Sequence, residues 1–431
     1  MVMKAKIKKF SQDTFSSLAT RNFRLYFIGQ SISMAGTFMQ GIALAWLVLK
    51  MTNSGTALGV AVSLQYLPIL LLGPWGGMVA DRFSKRALLI MTKSAFGILA
   101  FSLGILVLTG IIQVWMIFLL SLATGIISLI DSPAYYAFIP EMVEGHKIKN
   151  AITLNASMLN LSRVAGPAVA GILIATTGFA PCFILNGASY IVIIIALSLI
   201  NKDELHKGSP LPKSKGMIWE GFRHVLSKPI LAGTIVMIAI IGTLTYEFPV
   251  SLALLAKTSF HGSPSSYAAL TGALGLGSVL GGLFHASRKI KGSDTLAIAA
   301  FVFGCSVILI SLMPTLFLAV GVMVLVGACS IWFATLANST LQLNSDPQLR
   351  GRVMVLWSMS YLGSTAIGGP LIGWVGEHAG PRWSLGVGGL AAIVAAALGI
   401  MVMRNQKRSL AAVEVVTLDA EIALSEDKKM I

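Results

Sequence analysis

Long apolar runs separated by short polar turns account for most of the 431-residue chain. Read as helices, they predict twelve spans, at 23–49, 55–80, 87–109, 113–139, 149–176, 179–200, 230–256, 265–286, 294–312, 315–342, 351–375 and 383–403. Each holds about 19 residues or more, which at a 1.5 Å rise crosses a hydrocarbon core of roughly 30 Å, with tilt absorbing the longer ones. The longest polar interruption, Asn201 to Lys228, carries Lys, Pro, Ser and Gly and separates two sets of six. The pattern therefore predicts an all-α membrane protein made of two six-helix bundles. The N-terminal bundle with its tail covers 1–200, a linker covers 201–228, the C-terminal bundle covers 229–404, and a second tail covers 405–431. The linker is expected to hold a short amphipathic helix around Ile218 to Leu226.

The two sets repeat at an offset of 203 residues. That shift lays Lys85-Arg86 on Arg288-Lys289, Lys147 on Arg350, Lys149 on Arg352, and Gly166-Pro167 on Gly369-Pro370. Chance supplies one such pairing; several at a single offset argue for an internal repeat about an axis along the membrane normal. Small residues spaced by four recur as Gly73/Gly77 in span 2, Gly166/Ala170 in span 5, Gly277/Gly281 in span 8 and Gly369/Gly373 in span 11. Any one pair is compatible with ordinary tight packing. Their recurrence in every third span predicts a seam along which the two halves slide or rock.

Composition agrees with this: 55% of residues are hydrophobic and 11% charged, against about 25% charged in a soluble domain. The net charge of +15 would suggest nucleic acid in a soluble chain. Here its placement excludes that reading. With the N-terminus in the cytoplasm, 27 of the 32 basic residues gather on one membrane face, and only Lys50, Lys257 and Arg382 fall on the other. An even number of spans with both termini cytoplasmic satisfies the positive-inside bias throughout, as expected of a multi-pass cell-membrane protein. Cys182, Cys305 and Cys329 lie in separate spans without ligand spacing, so no disulfide frame or metal site is predicted. The basic N-terminal stretch runs into a full-length span, which does not read as a removable signal peptide. No P-loop, nucleophile elbow or paired catalytic carboxylates occur, so neither ATP hydrolysis nor covalent chemistry is expected, and no cofactor.

Apart from Asp294 at the very start of span 9, only Asp131 and Glu247 are acidic inside the spans, and a carboxylate in lipid is costly enough to need a reason. Arg163 lies ~21 Å from the cytoplasmic end of span 5 and Asp131 ~13 Å from that end of span 4. A guanidinium can bridge the difference. The expectation is either an Asp131–Arg163 pair lining the N-terminal half of a cavity, or an Asp131 that simply closes the inner end of span 4. Lys93, ~10 Å into span 3, is expected to snorkel to the interface. Glu247, near mid-depth of span 7, suits a carboxyl that loads a proton on one face and releases it on the other; the plainer reading is a structural hydrogen bond. Gln40, Gln65, Asn155, Asn160, Trp332, Asn338 and Trp357 are candidates for a cavity wall, though each alone reads more simply as a helix-to-helix hydrogen bond or a packing group.

After span 2 the chain reads Gly77-Met-Val-Ala-Asp81-Arg82-Phe-Ser-Lys85-Arg86. In that topological place the string resembles the signature loop of the major facilitator superfamily. The resemblance implies a cytoplasmic gate in which Asp81 meets span 11 while Arg82, Lys85 and Arg86 hold neighbouring loops. The second half keeps Gly281-Gly282 and Arg288-Lys289 without an Asp, so the gate is expected to be lopsided. Span 5 carries Arg163-Val-Ala-Gly166-Pro167-Ala-Val-Ala-Gly171, similar to the glycine-proline motif of exporters in that superfamily, although a packing kink would look the same. The segments Ile130 to Ala134, Phe138 to Val143, Asn150 to Asn155, Arg21 to Leu25 and Glu247 to Leu252 resemble the branch of siderophore exporters and macrolide efflux proteins. A departure is Tyr135-Tyr136, which stand where that branch would carry an Arg-Gln-like pair. The resemblance implies a major facilitator fold and proton-coupled efflux of an amphipathic small molecule, acting as a monomer in the lipid bilayer with no cofactor beyond the proton motive force. The alternatives are a proton-coupled nutrient importer and, of another class, a membrane sensor that moves no solute.

Overall fold

The computed structural model describes residues 15–206, 217–286 and 294–402; among these, the side chains of Pro74, Ala80, Asp81, Met217, Ile218, His285, Ala286 and Asp294 are outside the description. The repeat partners Arg288 and Lys289, residues 207–216 of the linker, and the tail 405–431 therefore lie outside it too. What is described is almost wholly helical. The first six spans are Arg21–Thr52, Gly55–Arg82, Lys85–Leu108, Val114–Glu141, Ile148–Thr177 and Ala180–Ser198. Spans 8 to 10 are Pro264–Ala286, Asp294–Ser311 and Leu316–Asn344, and span 12 is Pro381–Val402. Ten helical segments are long and apolar enough to cross a membrane. Of the twelve expected, span 9 is a shorter apolar helix, and span 11 is divided into pieces too short to qualify alone.

Spans 7 and 11 depart from the continuous helices that the pattern predicts. Span 7 is helical over Pro229–Leu244, breaks, and resumes as Phe248–Leu254 before a π-helical turn at Leu255–Ser259. Pro249 accounts for the break: its ring cannot donate to the carbonyl four residues back and crowds it. Thr245 is held aside at the break, donating its hydroxyl to the Gly388 carbonyl of span 12 at 2.7 Å. Span 11 runs Arg350–Ser358, a π-helical turn at Met359–Gly363, then Thr365–His378. Such π turns relax the backbone where a helix must re-aim its side chains, and they recur at functional sites.

The halves meet along spans 2 and 11 and along spans 5 and 8. The small-residue expectation holds for the spans but not for most of the residues. In span 2 the seam is made by Gly55 and Gly59, where an added methyl would overlap the Gly373 and Gly369 carbonyls of span 11. Gly73 would touch only the Met359 side chain at 3.5 Å, and Gly77 nothing within 4 Å. Gly277 and Gly281 abut Val324 and Ala328 of span 10, inside their own half, and Gly166 abuts span 1 at Ala35, Phe38 and Met39. The spacing therefore marks close helix approach in spans 5, 8 and 11, though not at Gly73 and Gly77, and does not tell which neighbour approaches. Gly171 does face across the seam, toward Ser265 and Ala268 of span 8.

The expected amphipathic helix is present as Met217–Ser227. Trp219, Phe222 and Leu226 are exposed on it, while Glu220 pairs with Arg352 and Gly221 packs on the Arg352 side chain.

Candidate binding cavity

A cavity of about 400 Å³ lies between the halves, walled by side chains of spans 1, 2, 5, 7, 8, 10 and 11. Four features of the fold bring its polar groups together. The Pro167 bend and the open face beside it set Arg163 on the wall. The break in span 7 turns Tyr246 and Phe248 inward around Glu247. The π turn of span 11 supplies Tyr361 and, just after it, Thr365. Span 2 contributes Gln65 and Tyr66.

Arg163 lies with its guanidinium 5.8 Å from the Phe38 ring centre. It does not pair with Asp131. That carboxylate accepts instead from Lys93 Nζ at 2.7 Å and Thr92 Oγ1 at 2.6 Å, and Lys93, only 4% exposed, does not snorkel. Similar depth in adjacent spans explains the correction: two buried charges that can meet directly cost less than either left alone. The pair is enclosed within the N-terminal half beside Tyr26 and Tyr135, away from the cavity wall. Tyr135 donates to Asn155 Oδ1 at 2.6 Å, so Asn155 also belongs to that interior network.

Glu247 is 1% exposed and sits behind the wall rather than on it. Neither carboxylate oxygen makes a hydrogen bond of normal geometry among the described residues; the Thr365 hydroxyl bears on it electrostatically, and its Oε1 faces the Cα of Gly368. Tyr66 lies within electrostatic reach of both Glu247 and Arg163.

Of the other candidates, Gln40 accepts from Asn186 Nδ2 at 2.8 Å, joining spans 1 and 6. Asn338 accepts from Gln342 one turn later in its own helix at 2.5 Å. Trp332 packs against the main core. Trp357 stacks on Tyr361 at 5.0 Å and so backs the cavity wall without forming it. Pro167 does line the cavity, and Gln65 with it.

In the loop after span 2, Lys85 pairs with Glu141 at 3.5 Å. Arg86 donates to the Leu197 and Ser198 carbonyls at 2.6 and 2.8 Å, satisfying the end of span 6. Both contacts stay within the N-terminal half. Arg82 is exposed, and the Asp81 side chain lies outside the description.

Sequence reasoning missed a second set of charged contacts, at the opposite end of the spans. Glu377, just past the expected end of span 11, accepts from Ser54 Oγ at 2.7 Å, Thr56 N at 3.0 Å and Thr56 Oγ1 at 2.8 Å. It thus sits at the N-terminus of span 2, where the helix dipole favours an anion. Lys257 of span 7 donates to the Leu49 carbonyl at 2.5 Å and Asn53 Oδ1 at 2.7 Å, placing a cation at the C-terminus of span 1. The C-terminal half therefore grips both sides of the turn between spans 1 and 2. The available signal was the charge pattern: Lys257 is one of the few basic residues on that face.

The family described as transmembrane secretion effector matches residues 12–428. The enterobactin exporter of Citrobacter koseri is 25% identical over 392 residues, covering 90% of this chain and 92% of that protein. The enterobactin exporter of Shigella flexneri is 25% identical over 389 residues with the same coverage. Among solved structures, a POT family transporter in complex with a thioalcohol-conjugated peptide superimposes with a TM-score of 0.74 at 12% identity, covering 90% of this chain and 96% of that one. A bacterial homologue of the human lysosomal transporter Spinster, inward-facing and unoccupied, superimposes with a TM-score of 0.70 at 16% identity, covering 89% and 97%.

Proposed function

Since the chain belongs to the transmembrane secretion effector family of the major facilitator superfamily, we propose that it exports an amphipathic small molecule from the cytoplasm by alternating access, in exchange for protons. The observation that carries this reading is a cavity at the seam of the halves with a buried carboxyl, Glu247, at a helix break directly behind its wall, where only the Thr365 hydroxyl bears on it and no hydrogen bond of normal geometry forms among the described residues. An ionised carboxylate so poorly supplied with donors is costly in such surroundings, which suits an acid that carries its proton in this conformation and gives it up when the helices repack. Tyr66, Tyr246 and Thr365 link that position to the cavity, so substrate occupancy and proton occupancy can bias the same two-state movement.

The direction of transport draws on the relatives and on the span 5 motif. With the basic loops in the cytoplasm, the seam is closed toward the outside and the cavity receives substrate from the inside. The gate role of Asp81, Arg82, Lys85 and Arg86 belongs to the other half of the cycle, when the inner end closes.

Proton-driven uptake of substrate into inside-out vesicles tests the reading. Acidifying the lumen should drive an exported compound inward with the wild-type protein. Glu247→Gln should retain downhill movement and lose the response to the gradient. Unchanged gradient-driven uptake in a normally expressed Glu247→Gln protein removes the assignment.

A further inference from the structure

Arg163 is the one formally charged side chain among the described residues that wall the cavity. Among those residues it has no ion-pair partner, and its contact is with the face of Phe38. Both acids that might have neutralised it are committed elsewhere. Asp131 is saturated by Lys93 and Thr92, and Glu247 is turned behind the wall toward Gly368. The remaining polar groups are neutral, and several are already engaged: the Tyr246 hydroxyl donates to the Ser330 carbonyl at 2.9 Å and the Tyr267 hydroxyl to the Pro249 carbonyl at 3.2 Å.

A half-buried guanidinium with no ion-pair partner, on a wall whose other polar groups are neutral, is electrostatically incomplete. Its planar set of donors matches a carboxylate, sulfonate or phosphate in two-point geometry, and water satisfies it less well. Around it, Phe38, Tyr66, Tyr246 and Tyr361 offer ring faces for a flat apolar body. The volume of about 400 Å³ suits one small molecule.

We propose that the cavity takes organic anions: one acidic group held by Arg163, with an aromatic or apolar body laid along the surrounding rings. This rests on the transport reading for its purpose but makes a separate claim about ligand charge. An anionic lipid headgroup presents the same chemistry, so the test separates the two sources.

The full-length protein in phosphatidylcholine nanodiscs is titrated with 1-pyrenebutyrate, its methyl ester and its trimethylammonium analogue, with empty discs subtracted. The acid is expected to bind the wild type about tenfold tighter than the ester or more, the scale of one charge-assisted contact. Arg163→Gln should lose that preference while keeping its affinity for the ester, which also shows that the variant folds. Arg163→Lys should keep part of it, as a point charge without the fork. Equal binding of acid and ester, tighter binding of the cation, or a preference that survives in Arg163→Gln overturns the proposal. In discs containing phosphatidylglycerol, loss of pyrenebutyrate binding identifies the lipid headgroup as the occupant and also overturns it; unchanged binding supports the soluble anion. Counterflow in proteoliposomes separates the two claims. Selective binding of the acid without counterflow supports the anion site and contradicts transport. Counterflow of acid and ester alike contradicts the anion site and leaves transport standing.

Discussion

At the end of the seam away from the basic loops, the halves are joined backbone to backbone and charge to helix terminus; at the basic end, every described ion pair stays inside one half. Gly55 and Gly59 bring span 2 onto span 11 so closely that no Cβ fits. Beside them Glu377 and Lys257 complete the ends of spans 2 and 1 from across the seam. One turn further in, Ser63 donates to the Ala366 carbonyl. Toward the basic end the approach loosens: Gly77 and Gly282, on the seam faces of spans 2 and 8, have no heavy atom within 4 Å of a built Cβ among the described residues. There Lys85 pairs with Glu141 in the N-terminal half, and Arg352 with Glu220 and Lys228 with Asp346 in the C-terminal half. Closure is thus decided by where glycine lets two helices touch, not by where charges are most numerous. Charge at the basic end keeps each half intact while the seam between them opens.

The largest effect expected from this contrast belongs to a charge that holds one half together. Asp131→Leu leaves Lys93 buried without a partner, which should cost about 3–5 kcal/mol. A fall in melting temperature in detergent checks it, and Asp131→Leu combined with Lys93→Met should recover much of the loss. Next comes the seam itself. Gly59→Val forces a side chain into the Gly369 backbone, an overpacking of about 1–3 kcal/mol directed against the glycine-closed end. Labelling of Ala268→Cys, buried against Gly171 across the seam, by a maleimide should rise by up to about tenfold for each ~1.4 kcal/mol, whereas Gly77→Val should leave it unchanged. Equal responses to the two valines would erase the distinction between the ends.

Glu377→Gln and Lys257→Gln should act in the same direction as Gly59→Val but more weakly, at ~1 kcal/mol or less, because these groups are solvent-accessible. Their effect should diminish in high salt. The smallest effect concerns Asp346, whose hydrogen bond from Lys228 holds its carboxyl below the usual carboxylate range. A depressed carboxyl stabilises above its unfolded value and loses that contribution as pH falls through the folded one. The stability difference between wild type and Asp346→Asn should therefore shrink only below about pH 4, with labelling across the seam indifferent to the substitution.

Much of the architecture was legible because lipid leaves few choices: apolar runs had to be helices. The Pro249 break and the π turn at Met359–Gly363 were not, since hydropathy is blind to where a helix stops hydrogen bonding inside an apolar run. Arg163 was readable as a cavity residue because a charge in a span has few other uses. The Asp131–Arg163 alternative failed because Lys93, closer to Asp131 in depth, was expected to reach for the interface instead of turning inward. Gly73 and Gly77 were chosen over Gly55 and Gly59 because spacing by four does not show at which end of a shared face two helices converge. Glu377 drew no expectation, because its contacts arise only from a helix end that the other half of the chain brings to it.

The most direct test of two halves rocking about a shared cavity is a pair of spin-label distances in proteoliposomes, taken with and without a proton gradient. One pair, Thr177→Cys with His261→Cys, spans the glycine-closed end; the other, Lys149→Cys with Gln348→Cys, spans the basic end. The account predicts reciprocal change: under the gradient the first distance lengthens as the second shortens, and Glu247→Gln abolishes both shifts. Distances that move in the same direction, or that stay fixed while substrate is transported, would contradict it.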